Sequence, residues 1–330
     1  MLNSKTKLNQ KIFDKDVEMK PIRDGYGAGL VTAGTEDSNV VVLCADLTES
    51  TRSLKFQERF PERFFEMGVA EQNLAAVAAG LGVSGKMPFI SSYATFSPGR
   101  NWEQIRTTIA YNDANVKIAG HHAGLMTGPD GATHEMTEDI AIMRTMPNMT
   151  VLVPCDAIEA EKATIMAAQT KGPVYIRFAR EKTPVITTKD TPFKLGKNNI
   201  LWQTDSPSVA VFVTGTLTHN ALLAAKELEE EEGIESLVIG VHTIKPLDEK
   251  NVVEMAKKTG AVVTVEEHQV AGGLGGAIAE CLAKNHPTPI EFVGLRDTFG
   301  ESGNPWDLIN KYGMGVKDIK AAMKKAAGRK

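Results

Sequence analysis

Short, almost uninterrupted runs of Val, Ile, Leu, Ala and Cys recur along this 330-residue chain, each followed by a longer stretch with helical spacing. A strand that is apolar on both faces has to be covered on both faces, which a parallel sheet between two layers of helices achieves. The strand-like runs are Asn39–Ala45 (NVVVLCA), Met87–Ala94, Val116–His121, Thr150–Val153, closed by Pro154, and Val174–Phe178. The spacing predicts helices over Glu71–Gly85, Asn101–Tyr111, Glu135–Met146 and Asp156–Gln169. Asp156 and Glu159 have the spacing of a capping box. The alternation stops between Arg180 and Trp202, where Pro184, Pro192 and a mixed charge run intervene. It then resumes. Strands are predicted at Val209–Val213, Leu237–Val241, Ala261–Val265 and Ile290–Val293, with helices over Asn220–Glu231, from the cap Asp248 to Lys258, and over Gly276–Lys284 and Val316–Ala326. The expected fold is therefore α/β, with two doubly wound domains and mainly parallel sheets. The first runs over 1–190, a linker over 191–205 and the second over 206–330.

Length and composition narrow the class. A chain of 330 residues suits two domains, and 42% hydrophobic against 24% charged residues is a globular balance that excludes disorder as the main state. A net charge of −4 gives no field for a polyanion, so no nucleic acid is expected as a partner. Cys44, Cys155 and Cys281 lie far apart with no CxxC pair, which disfavours a disulfide scaffold and a zinc ribbon and suits a reducing compartment. No apolar run has membrane-spanning length, and the first residues lack a signal-peptide core. The expected location is cytoplasmic.

Two glycine clusters invite a nucleotide reading. The set Gly25, Gly27, Gly29 misses the GxGxxG register because position 30 is Leu, and the set around Gly273 and Gly275 misses it because position 278 is Ile. Close packing explains the second cluster more simply. The densest polar loop is GHHAGLMTGPDGATHE, residues 120–135, which leaves a strand and enters a helix. Ligands bind at that edge of an open α/β sheet, and three of the seven histidines fall in it. A turn-rich loop with solvated histidines is the plain alternative. The spacing of His122, Asp130 and His134 matches no common zinc pattern, and no metal ligands are assigned. Glu71 heads a helix of Ala, Leu, Val and Gly. It is either a charge favoured by the helix dipole or a carboxylate buried against a partner.

Six motifs carry a resemblance that covers about Met19 to Ala326: CADLTES (44–50), MGVAEQN (67–73), the 120–144 loop and helix, PVYIRFAREKTPV (173–185), VEEHQVAGGLGGAIAE (265–280) and DTFGESG (297–303). The chain resembles the C-terminal half of transketolase, the pyrimidine-binding plus C-terminal domains, and most of all the C-terminal subunit of transketolases split into two chains. The resemblance implies thiamine diphosphate, bound here at its pyrimidine end, and an N-terminal partner subunit that holds the diphosphate with Mg2+ or Ca2+, since no GDG occurs in the sequence. It further implies a homodimer of this chain within an α2β2 assembly, sugar phosphate substrates, and no membrane.

The resemblance also implies roles for single residues. Glu71 matches the carboxylate that promotes the imino tautomer of the aminopyrimidine. Phe96 matches an aromatic that packs on that ring. A second aromatic is replaced by Ser97-Pro98-Gly99-Arg100, so Phe96 or Arg100 is the stacking partner. Arg23, Ser50 and Arg180 resemble the phosphate-binding group with His122 beside them, and Arg177 competes with Arg180 for that place. Asp130 resembles a residue that holds a substrate hydroxyl, His134 one that assists proton transfer near the cofactor, and Asp46 a cofactor-side residue at the subunit contact. Glu266, Glu267 and His268 are read as structural. The implied activity is transfer of a two-carbon ketol unit between sugar phosphates. A 1-deoxyxylulose-5-phosphate synthase, a 2-oxoacid dehydrogenase E1 β subunit and a non-catalytic assembly protein are the rivals.

Overall fold

A computed structural model describes residues 1–330. Fourteen strands follow in chain order: β1 (Met19–Pro21), β2 (Val40–Cys44), β3 (Phe64–Glu66), β4 (Met87–Tyr93), β5 (Lys117–His121), β6 (Thr150–Leu152), β7 (Val174–Arg177), β8 (Lys182–Pro184), β9 (Asn199–Trp202), β10 (Val209–Val213), β11 (Ser236–Gly240), β12 (Thr243–Lys245), β13 (Val262–Gln269) and β14 (Ile290–Leu295). Seven strands form one sheet in the order β12-β6-β7-β5-β4-β2-β3, and five form another in the order β14-β13-β10-β11-β9. Every pairing in the first sheet is parallel except β12 with β6. In the second, only β9 runs antiparallel, against β11. The strands β2, β5, β7 and β10 are buried at every residue, as apolar runs covered by helices on both faces require.

The glycine clusters serve packing. A Cβ on Gly25 would lie 1.9 Å from the Ala157 carbonyl oxygen, and one on Gly29 would lie 2.6 Å from Thr164 Cβ. The helices Ile22–Glu36 and Ala157–Gln169 therefore touch backbone to backbone. A Cβ on Gly275 would meet Phe292 at 2.7 Å, which seats the helix Leu274–Asn285 on its sheet. The first amides of that helix, Leu274 and Gly275, donate to Glu266 at 2.7 and 2.8 Å, so a carboxylate of the chain itself takes the place an anionic ligand would occupy.

Four expectations need correction. The stretch read as a linker, 191–205, holds β9, because Ile200, Leu201 and Trp202 bury against the second sheet. The preceding residues are tied down as well: Asp156 accepts from Ile186 N, Thr187 N and Thr187 Oγ1 while also capping its own helix at Glu159 N. Glu159 reaches Cys155 N instead of closing a full capping box. The helix expected over 135–146 spans only Asp139–Arg144, since Gly124 N donates to the Met136 carbonyl and ties Met136 into an isolated bridge with Ala123. The helix expected over 101–111 starts at Trp102 and continues as a π-helical turn over Ile105–Ala110.

The two sheets are also bound to each other. The strand β12 leaves the second sheet's connections to pair with β6 at the edge of the first. The N-terminal residues cross the other way: Asn3 Nδ2 and Thr6 Oγ1 donate to the Ile200 carbonyl at 2.9 and 2.6 Å. At the centre, Arg177 at the end of β7 is 3% exposed. Its Nε reaches the Asp139 carboxylate at 3.0 Å, its Nη2 donates to the Glu267 carbonyl at 2.7 Å, and Tyr175 Oη donates to Asp139 at 2.7 Å. Glu267 in turn accepts from Met126 N at 2.6 Å and from Thr216 Oγ1. Burial alone would lower the Arg177 pKa, but Asp139 and Glu267 raise it beyond the ordinary arginine value. Arg177→Ala strands a fully buried Asp139, and urea denaturation is expected to show a loss of about 3–5 kcal/mol.

Candidate active site

In a parallel sheet every strand leaves at the same edge. The exits of β2, β3, β4, β5 and β7 therefore bring residues 45–53, 67–71, 94–101, 122 and 178–181 together. Ten residues were singled out from the sequence as a site, and seven of them form a continuous row there. Glu71, the first residue of the helix Glu71–Val83, is 2% exposed and accepts from Arg100 Nη1 at 2.8 Å. Its Oε1 has no partner within the chain, while Asn101 Nδ2 donates to its carbonyl at 2.9 Å. The Arg100 guanidinium lies over the Phe96 ring, 4.7 Å from the centroid. Phe96 stands edge-on to His134 at 5.4 Å and near-parallel to Tyr93 at 6.2 Å. Tyr93 stacks on His122 at 3.9 Å. His122 Nε2 receives Arg23 Nη1 at 2.7 Å, and the same Nη1 lies 2.8 Å from the Ser50 carbonyl.

The other three residues flank the row. Arg180 is half-buried and has no carboxylate partner. It lies close enough to Arg23 and His122 to depress the proton affinity of both. Asp46 is exposed in a left-handed conformation, with its amide donating to Glu66 at 2.6 Å. Asp130 is exposed at the end of the 3-10 turn Leu125–Asp130. Neither aspartate side chain bonds to the row. Arg177, the competitor for Arg180, is occupied in the buried clamp, which leaves Arg180 as the free cation at that strand end.

Electrostatics fix the protonation of the histidines. Burial, then Arg23, His121, Arg180 and Arg52, push His122 down to about 2. Burial followed by Arg23 and Arg52 does the same in direction to His121. With Nε2 accepting from Arg23, the neutral His122 carries its proton on Nδ1, which has no partner in the chain. Thr127 Oγ1 donates to the His122 carbonyl at 2.5 Å and steadies its left-handed backbone. Arg23 is lowered by burial and by Arg52 and Arg180, and its Nε is likewise unpartnered.

Sequence reading missed Tyr93, the ring that joins the two ends of the row. Its signal was an aromatic at the last position of a strand. It also missed Glu135, which is 5% exposed with both carboxylate oxygens unpartnered beneath Gly300. Burial, then Glu267, Glu301 and Asp130, raise Glu135 to about 8. No three His, Cys, Asp or Glu side chains gather as a metal site, and no helix is long and apolar enough to cross a membrane.

A raised carboxyl pKa favours the folded state below the unfolded value and loses that contribution as pH rises through the folded one. Glu135→Gln stays neutral at all pH. Its melting temperature is expected to match that of the unmodified chain at pH 5 and to exceed it at pH 9, by differential scanning calorimetry.

Residues 18–185 match the family model described as transketolase, pyrimidine binding domain, and residues 196–319 match transketolase, C-terminal domain. A chain of Methanocaldococcus jannaschii, named after a transketolase C-terminal section, is 44% identical over 91% of this chain and 94% of its own. The 6-deoxy-6-sulfo-D-fructose transketolase subunit SqwH of Clostridium sp. is 40% identical over 96% and 98%. Among solved structures, a split gene transketolase described as an inactive beta4 tetramer superposes with a TM-score of 0.86 at 46% identity, over 93% of this chain and 98% of that one.

Proposed function

The chain belongs to the transketolase family, and from that premise we propose that it forms the pyrimidine side of a thiamine diphosphate site completed by an N-terminal subunit. Together the two move a two-carbon ketol unit from a ketose phosphate to an aldose phosphate. The observation that carries this reading is the row from Glu71 to Arg23. It sets a buried carboxylate, a flat aromatic wall, two histidines and a cation along one sheet edge.

The residues fit the pyrimidine half of the cofactor. When bound, thiamine diphosphate supplies a thiazolium carbon that gives up its proton and attacks the ketose carbonyl. Glu71 has an oxygen free of partners with which to hold a proton at the pyrimidine N1′. In this reading Arg100 orients that carboxylate and Phe96, near-parallel to Tyr93, is the ring that packs on the pyrimidine. His134 stands at the edge of Phe96 and moves protons to and from substrate oxygens. His122, neutral and with a free Nδ1–H, donates to a substrate oxygen. Arg23, Ser50 and Arg180 bind the phosphate end. Asp130 takes a sugar hydroxyl, and Asp46 faces the cofactor at the subunit contact. The partner subunit holds the diphosphate with Mg2+ or Ca2+.

Two similar chains of matching length support the need for a partner. One is named as a subunit, and the other was solved as a beta4 tetramer described as inactive. The assembly proposed is two copies of this chain with two N-terminal subunits.

The test is ketol transfer from xylulose 5-phosphate to ribose 5-phosphate with thiamine diphosphate and magnesium. Turnover is expected only when this chain is mixed with its N-terminal subunit. A correctly assembled pair with no transfer points instead to pyruvate as donor, as in a 1-deoxyxylulose-5-phosphate synthase or E1 β-like subunit, or to a non-catalytic role. Glu71→Ala is expected to lower kcat by about 10²–10⁴ while leaving assembly unchanged by analytical ultracentrifugation.

A further inference from the structure

The loop 122–134, which presents His122, Asp130 and His134, rests on the second domain at several points along its length. Met126 N donates to Glu267 Oε1 at 2.6 Å. A Cβ on Gly124 would lie 2.2 Å from that same oxygen, so the main chain of the loop lies against the carboxylate. Further on, Gly303 N donates to the Gly128 carbonyl at 3.4 Å, and a Cβ on Gly131 would lie 2.4 Å from Ser302 Oγ. The hold on Met126 reaches the site in one step. The next residue, Thr127, donates its hydroxyl to the His122 carbonyl.

Glu267 is itself fixed. It lies in β13, is 2% exposed, and accepts at its other oxygen from Thr216 Oγ1, in the turn that leaves β10. Arg177 Nη2 donates to its carbonyl at 2.7 Å. In the second sheet β11 lies on one side of β10 and β13 on the other. The crevice between the exits of β10 and β13 is thus where an open α/β sheet takes a ligand. Here that place holds Glu267 and the main chain of a loop from the first domain. The Glu71 end of the row is built differently. Glu71, Arg100, Asn101 and Phe96 all come from the first domain and hold one another.

We propose that Glu267 is a positioning residue for the reaction. Through Met126 it sets the loop that carries His122 and His134, so the second domain aligns the substrate-handling half of the row without touching substrate. This rests on the ketol-transfer reading above, and the test separates the two.

Glu267→Asp keeps the charge but draws the carboxylate back by one methylene, away from Met126 N. Glu267→Gln keeps the length and an oxygen that accepts from Met126 N. In the assembled enzyme, Glu267→Asp is expected to lower kcat for ketol transfer about 10²-fold, the effect of a misplacement of roughly 1 Å. Exchange of the cofactor's thiazolium proton for deuterium, which depends on Glu71, should keep its rate. Glu267→Gln should keep most of the turnover. An equal loss of proton exchange and of transfer, no loss in either, or a fall in Glu267→Gln as deep as in Glu267→Asp would overturn the assignment.

The second arm needs neither turnover nor cofactor. Hydrogen–deuterium exchange is followed by mass spectrometry on this chain alone. In Glu267→Asp the amides of 122–134 should exchange about tenfold faster, the usual weight of one charge-assisted hydrogen bond. Those of the helix Glu71–Val83 should keep their rate. Equal acceleration of both segments would make Glu267 a general stabiliser, and an unchanged 122–134 segment would leave it no hold on the loop; either result overturns the proposal. If the assembled pair transfers no ketol unit, the functional reading fails, and Glu267 is judged on this second arm.

Discussion

Strand direction is the constraint from which the rest follows. Six neighbouring strands of the large sheet run the same way, so their exits share one edge. The candidate residues are scattered from Arg23 to Arg180 in sequence, yet five strand exits and the first turn of the helix Ile22–Glu36 deliver them to one place. The helices that reconnect those strands must pack closely on both faces. That is why Gly25 and Gly29 give up their side chains to the helix Ala157–Gln169. Once that contact is made, the first turn of the helix Ile22–Glu36 lies at the sheet edge, and Arg23 reaches His122.

The cluster is a balance between burial and charge. His122 is desolvated and faces three arginines, and both effects keep it neutral. A neutral imidazole can offer one N–H and accept at the other nitrogen, which is how it is used here: Arg23 donates to Nε2, and Nδ1 stays free. At the other end, Glu71 is enclosed and balanced by a single half-exposed guanidinium. The row thus has a carboxylate end and a cationic end, with Tyr93 and Phe96 between them as an apolar spacer.

Much of this was legible in the amino-acid sequence. Fully apolar runs such as Val40–Cys44 can only be inner parallel strands, and they are. The MGVAEQN motif points to Glu71, and the GHHAGLMTGPDGATHE loop points to His122 and His134. What could not be read is long-range partnership. Arg177 and Arg180 are three residues apart in one motif, and only the burial of Asp139 and Glu267 reveals that the first is a clamp. Tyr93 stands three residues before Phe96 in the same segment, and its place in the row comes only from β4 and β5 ending side by side. The supposed linker failed for a related reason. Prolines and mixed charges mark the stretch from Arg180 on, but Asn199–Trp202, inside the expected linker 191–205, is the strand β9, whose pairing lies with β11, far along the chain.

The strand β12 has a consequence for how such a protein is inherited. It belongs in sequence to the second half, yet it finishes the sheet of the first, while the N-terminal residues lie against the second sheet. Each half thus carries a piece of the other. A cut between residues 190 and 206 would leave one fragment without its outermost strand and the other without the residues bonded to β9. The junction is a poor place for gene fission or for shuffling halves between relatives. The two halves are thus built to be kept together and exchanged only as one piece.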